Sequence, residues 1–179
     1  MFYLDLFSKL QQFEVQYLLI GGLAVSLHGV ERATMDIDIT VAMQPNNLDK
    51  LIACAESLDL KPVLPIPLSS LKNLELLKQW HQEKNLLAFA LRTEELAGVT
   101  LDILLFPPID FDNMQQRMTK FDIANVKVNV ACIDDLIALK QAAGRAIDLS
   151  DIEHLNKLKR LWNPLSSPRI ELISLATNA

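Results

Sequence analysis

Two acids stand in an otherwise apolar, alternating run. In "MDIDITV" (35–41), Met35, Ile37, Ile39 and Val41 alternate with Asp36, Asp38 and Thr40. That period of two predicts a strand with one face for the core. Residues two apart in a strand share a face at about 7 Å, so Asp36 and Asp38 are expected to project together. Two like charges so close are unfavourable without a cation between them. Mg²⁺ suits the position, because it takes oxygen ligands from one or two carboxylates and completes its shell with water and substrate phosphates. A third carboxylate on a neighbouring strand would let two ions be held about 4 Å apart for an in-line phosphoryl displacement. Asp102, in the apolar run "TLDILLF", is the candidate, since a lone acid there is costly without a partner. Upstream, "YLLI" (17–20) runs into Gly21-Gly22. A strand that stops at two glycines and opens a helix leaves backbone N–H groups able to hold a phosphate oxygen, and glycine permits close approach. A glycine phosphate cradle and a metal site from Asp36, Asp38 and Asp102 together describe a nucleoside triphosphate site.

Rival chemistries fit less well. An EF-hand would need Gly and Glu where Val41 and Asn47 stand. The chain has no G-K-[ST] of a P-loop and no G-x-S-x-G elbow around Ser26. Its two cysteines, Cys54 and Cys132, form neither a disulfide framework nor a zinc spacing and suit a reducing cytosol. A net charge of −5 gives no general polyanion-binding character, although it leaves room for a local basic face. With 179 residues, half of them hydrophobic, the chain can build one domain with a core, or a domain with a small helical appendage. The start "MFYLDLFSKLQQF" lacks the basic-then-apolar order of a signal peptide, and no apolar run approaches the roughly 18 residues of a membrane span. A soluble, cytoplasmic protein is expected. His28, Trp80, His81 and Trp162 read as packing residues.

The elements that must position these groups follow from periodicity. Residues 4–13 read as an amphipathic helix, 17–20 as a buried strand, 23–28 as a short helix stopped by Gly29, and 35–41 as a strand. A helix with an Asn start is expected over 46–60, a loop over 61–70, and a helix or irregular insert over 71–85. Residues 86–92 and 99–106 read as paired buried strands joined by a turn at 94–98, the second ended by Pro107-Pro108. One or two strands are expected in 121–133. Two helices follow, 134–145 and 148–162, with Asp134 and Asp148 as N-caps and Asp151 completing a capping-box-like pair. A linker bracketed by Pro164 and Pro168 leads to a last helix at 169–176. The fold class is α/β (α+β): a mixed sheet flanked by helices, with an α/β core over 1–132 and a helical segment over 133–179 packed on it.

These segments resemble the nucleotidyltransferase superfamily that shares its fold with DNA polymerase beta. The family pattern is an apolar residue, Gly, then Gly or Ser; a spacer; two acids separated by one residue; and later an acid between apolar residues. Here it reads Ile20-Gly21-Gly22, a spacer of 13 residues, Asp36-Ile37-Asp38, then Leu101-Asp102-Ile103. The string "GGLAVSLHGVERATMDIDI" looks like the minimal bacterial branch that includes the AbiEii and MenT toxin-type transferases, where a basic "RxTxD" precedes the metal acids. Arg32, Thr34 and Asp36 match it. "DDLIALKQAAGRAIDLSDIEHL" also looks like that branch, in which a helical Lys contacts nucleotide phosphates and a following Asp assists catalysis. Lys140 fits the first role and Asp148 or Asp151 the second. The resemblance implies transfer of a nucleoside monophosphate from an NTP, with two Mg²⁺ ions, to an acceptor hydroxyl. That acceptor is a tRNA, a protein or a small molecule such as an aminoglycoside. A toxin of this branch would have a cognate antitoxin as partner.

Overall fold

Apolar alternation makes the strands, and their register decides which face each acid occupies. The computed structural model describes residues 2–93 and 99–162. Its sheet holds β1 (Tyr17–Ile20), β2 (Ile37–Val41), β3 (Lys61–Pro62), β4 (Ala88–Arg92), β5 (Leu101–Leu104), β6 (Thr119–Ile123) and β7 (Val126–Val130). The strand order is β3-β4-β5-β2-β1-β7-β6. β2 pairs antiparallel with β1 and parallel with β5. β7 joins the other edge of β1 in parallel.

Side chains paired in register share a face. One face carries Tyr17, Leu19, Ile37, Ile39, Val41, Phe89, Leu91, Leu101 and Ile103, all at most 2% exposed. α1 (Phe2–Gln12) and α3 (Pro45–Ser57) contribute Leu6, Leu10, Leu48 and Leu51 to this core. The Phe7 ring stacks on Tyr17 with centroids 6.1 Å apart. Asn47 staples the start of β1 to the end of β2, accepting from the Gln16 N–H at 2.7 Å and donating to the Ala42 carbonyl at 2.8 Å. The opposite face carries Ile20, Asp38, Ala88, Asp102 and Leu104. α2 (Gly21–Leu27) packs against β1, β2 and α6 (Ile133–Ala143), which in turn packs against α7 (Ala146–Trp162).

Several boundaries differ from the sequence reading. α2 begins at Gly21 rather than Leu23, so both glycines belong to the helix. β2 begins at Ile37, leaving Met35 59% exposed and Asp36 just before the strand, because ladder pairing with β5 starts only at Ile37↔Leu101. α3 starts at Pro45, whose fixed φ suits a first helical position, and ends at Ser57. Lys61–Pro62 forms a short edge strand, and a 3₁₀ turn spans Leu68–Lys72. The 71–85 segment contains α4 (Leu74–Lys84), capped by the Asn73 side chain. An unexpected helix, α5 (Phe111–Gln116), follows Pro107-Pro108, with Asp110 as its cap. Residues 121–133 give two strands in a hairpin that turns at Ala124 and Asn125, both at positive φ.

Asp134 is not an N-cap: Cys132 holds that position in α6, and Asp134 pairs instead with Lys159. Asp148 is not one either, since α7 begins two residues earlier. The 94–98 turn, the 164–168 linker and the 169–176 helix lie outside the described residues. Among the described residues, no helix is long and apolar enough to cross a membrane.

Candidate active site

The parallel ladder between β2 and β5 sets Asp38 directly beside Asp102. Both stand at the N-terminal ends of their strands, on the face opposite the core. Gly21 explains how Asp38 fits. With φ +67, a Cβ at Gly21 would stand 1.9 Å from Asp38 Oδ2. Only a residue without a side chain leaves that carboxylate its place. The Gly22 N–H donates to Asp38, and Gly22 itself lies under Thr34, where a Cβ would come within 3.1 Å of Thr34 Oγ1. Asp36 stands at the exposed rim, where its Oδ1 accepts from the Thr100 hydroxyl at 3.0 Å. The neighbouring Ile37 N–H donates to the Thr100 carbonyl at 2.9 Å, so Thr100 ties Asp36 to the start of β5.

The acids repel one another. Burial pushes the Asp38 pKa up to about 6, aided by Asp102 and Asp36 and only partly opposed by Arg145 and the Gly22 N–H. Burial also raises Asp102, with Asp36 adding to it against a hydrogen bond from Thr100. Among the described residues, no three His, Cys, Asp or Glu side chains already form a group that could enclose a metal ion. The donor set at this corner is therefore two paired carboxylates with a third at the rim.

Facing the acids is a second charged cluster. Lys140 of α6 is only 5% exposed and donates to Asp151 Oδ2 at 2.6 Å and to Asp148 Oδ1 at 3.3 Å. Asp151 also receives Arg32, whose Nε lies 3.3 Å from Oδ1. Asp148 is fully buried, and its Oδ2 accepts from Arg145 Nε at 2.8 Å and from the Arg145 backbone N–H at 3.1 Å. It sits at the third position of α7 and reaches back to the residue before the helix, as the acid of a capping box does. Burial alone would raise the Asp148 pKa; the hydrogen bonds from Arg145 and Lys140 prevail and hold it below the usual carboxylate value.

Gly21, Asp38, Asp102 and Lys140 line one cleft of about 370 Å³. Its apolar walls are Ala88 and Leu104 of the sheet, Leu87, and Leu136, Leu139 and Ala143 of α6. Of the other residues marked in the sequence, Asp148 and Asp151 lie behind Lys140 as its ion partners, Arg32 pairs with Asp151, and Thr34 covers Gly22. Arg145 also lines the cleft, and the sequence reading missed it. The available signal was its place after Gly144, which closes α6 at φ +64, and three residues before Asp148. His28 is a packing residue as expected: its ring meets Phe121 edge-on with centroids 5.3 Å apart, and Nε2 lies 2.8 Å from the Ala131 carbonyl oxygen.

Comparison with known proteins bears on this arrangement. Among solved structures, the chain is similar to an antigenic nucleotidyltransferase-like protein from Paracoccidioides brasiliensis, at 19% identity and TM-score 0.52, covering 88% of this chain and 73% of that one. It is also similar to the lincosamide antibiotic adenylyltransferase LnuA, lincomycin-bound, at 20% identity and TM-score 0.53, covering 83% and 90%. A third similar structure is ANT(2")-Ia in complex with adenylyl-2"-tobramycin, at 14% identity and TM-score 0.53, covering 88% and 90%. At these identities the likeness is one of fold. No curated protein matches the chain. Residues 3–171 match the family described as "Nucleotidyltransferase of unknown function (DUF6036)". That match runs over nearly the whole chain and carries the glycine corner, the paired acids and the α6–α7 cluster within it: the chain belongs to this nucleotidyltransferase family and is a transferase.

Proposed function

We propose that the cleft transfers a nucleoside monophosphate from an NTP to an acceptor hydroxyl, with magnesium held by Asp36, Asp38 and Asp102. The observation that carries the reading is the Asp38–Asp102 register pair, with Asp38 seated against Gly21 and the repulsion between the acids only partly offset. The donor set suits a hard cation: it is all oxygen, and Mg²⁺ commonly rests on one or two carboxylates while keeping waters and substrate phosphates. When bound, magnesium, in the two-ion arrangement of the resemblance, neutralises triphosphate charge and acidifies the acceptor hydroxyl.

The protein's own residues do the rest. Arg145 and Lys140 bring positive charge to the cleft that holds Asp38, where phosphate charge builds in the transition state. Arg32, Asp148 and Asp151 act as positioning residues through Lys140 and Arg145, and Gly21, Gly22 and Thr34 shape the corner against the phosphates. The acceptor oxygen forms a bond to the α-phosphorus, the bond to the bridging oxygen breaks, and pyrophosphate leaves with the electron pair. Asp102, the carboxylate paired in register with Asp38, takes the hydroxyl proton.

The same reading divides the chain at about residue 132, with the helical segment completing the cleft through Lys140 and Arg145. The toxin-type branch, with a cognate antitoxin as partner and the cytoplasm as location, is supported by Arg32-Ala33-Thr34-Met35-Asp36 and by Lys140 beside Asp151. Incubation with each labelled NTP, Mg²⁺ and total tRNA or lysate is expected to label one acceptor class. The D36A/D38A double variant is expected to abolish the label; an unchanged label in that variant would overturn the proposal.

A further inference from the structure

A second cleft of about 480 Å³ adjoins the first, and Leu87 lines both. Small-molecule sites run from roughly 300 to 1,000 Å³. Leu64, Ile66, Trp80, Lys84 and Leu86 complete its main walls. The segment that builds it matches none of the nucleotidyltransferase motifs in the sequence, yet it is well made. The Leu86 N–H donates to the Trp80 carbonyl at 3.2 Å, a His81 ring nitrogen meets the Leu86 carbonyl at 3.0 Å, and the Leu105 N–H donates to Leu87 at 3.1 Å. These bonds fix the crossing from α4 into β4 against β5. Leu87 is 53% and Leu64 48% exposed, so both present apolar surface to the cleft. Lys84 Nζ stands 5.7 Å from the centre of the Trp80 ring.

We propose that this cleft seats the acceptor, and that the acceptor is a hydroxyl compound carrying an aromatic ring and at most one negative charge. The inference rests on the transferase reading of the neighbouring acids and names the substrate class for it. Trp80 offers an aromatic surface, and Leu64, Ile66 and Leu87 offer apolar walls. Lys84 is the one ionisable side chain in the lining. A polycationic amine acceptor calls for carboxylates in its seat, and among the described residues none lines this cleft. A nucleic acid calls for a stripe of Lys and Arg, and one lysine does not make a stripe. Because Leu87 also borders the acid cleft, the hydroxyl of the bound ring would be the end turned toward the acids, where its oxygen forms the new bond to phosphorus and Asp102 takes its proton.

The test uses the full chain with 6-hydroxynaphthalene-2-sulfonate, an aromatic alcohol with one anionic group. Binding is read from the naphthol fluorescence, and transfer from labelled NTPs with tobramycin and total tRNA as competing acceptors. The probe is expected to bind wild type and Asp38→Asn alike. It should bind Leu87→Glu at least about tenfold more weakly, since the substitution puts a charge into an apolar cleft. Both Leu87→Glu and Lys84→Glu lie at exposed positions, and an unchanged urea midpoint of each variant checks that the fold is kept. Lys84→Glu should raise the KM for this acceptor and leave kcat little changed. Binding untouched by both variants, or preferred labelling of tobramycin or tRNA, overturns the acceptor assignment while the transferase reading stands. Release of no pyrophosphate with any acceptor, alongside intact probe binding, overturns the reaction assigned to the acids and with it the acceptor role.

Discussion

The two charged clusters that meet at the cleft are opposites in how they are balanced. Behind α6, Arg32, Lys140 and Arg145 face Asp148 and Asp151, and the ion pairs lie between 2.6 and 3.3 Å. At the sheet end, Asp38 and Asp102 have each other, Asp36, one hydroxyl and one backbone N–H, with only the more distant charge of Arg145 in opposition. Asp148 is fully buried and still titrates low, because cations and N–H donors compensate its burial. Asp38 titrates high, because burial desolvates it and the neighbouring acids add to that. The first cluster pairs both of its acids with cations of the chain. The second does not, and charge only partly offset is where an external cation and a substrate have something to bind to.

The comparison breaks most visibly at Lys140. Lys140→Met leaves Asp148 and Asp151 buried without their shared cation and is expected to destabilise by about 3 kcal/mol in urea titration. An unchanged midpoint would mean that Arg32 and Arg145 suffice. Asp38→Asn should act with the opposite sign, stabilising metal-free protein by up to about 3 kcal/mol at pH 7 while abolishing transfer. The pH dependence follows from the raised value. Protonation of Asp38 stabilises the fold fully below 3.8, and that stability is lost as pH rises through about 6. The gain from Asn is therefore expected at pH 7 and should vanish toward pH 4. Asp148 runs the other way: its contribution is present above 3.8 and lost as pH falls below it. Denaturant titrations of both variants from pH 3 to pH 8 test the two limbs together.

Gly21→Ala is expected to cost about 1 to 2 kcal/mol through its positive φ and the contact with Asp38, with a far larger loss in transfer. Gly22→Ala, which meets only Thr34, should cost less in both measurements. The smallest effect belongs to Thr100→Val, which removes the hydroxyl shared by Asp36 and Asp102 and should destabilise by about 1 kcal/mol or less.

Much of the acid corner was legible before the fold was. Alternation in "MDIDITV" put Asp38 on a strand, and the apolar context of Asp102 marked it as needing a partner. What alternation does not carry is register, so the pairing of residues 38 and 102 emerged only from the ladder. Alternation also overran its strand: Asp36 is held by Thr100 rather than by the sheet. Gly21 was marked for a phosphate, whereas its lack of a Cβ first serves the Asp38 carboxylate. The α6–α7 cluster was harder to read. Asp134 and Asp148 both carry the side chain of a cap, but burial and ion pairing across helices decide their partners. Arg145 was missed because its pairing with Asp148, three residues on, reads as an ordinary local ion pair, and nothing in "GRAID" reveals that the pair borders the cleft of Asp38 and Asp102.

The β2–β5 ladder also governs when the molecule can work. Its two acids come from strands separated by most of the core sequence, and a slip of one residue would turn either strand's acid to the opposite face. A chain still emerging from the ribosome that has not extended past Leu104 holds only half of the pair, whatever else has folded. Competence therefore requires the closure of a long loop between β2 and β5 before the helices that carry Lys140 and Arg145 can complete the cleft.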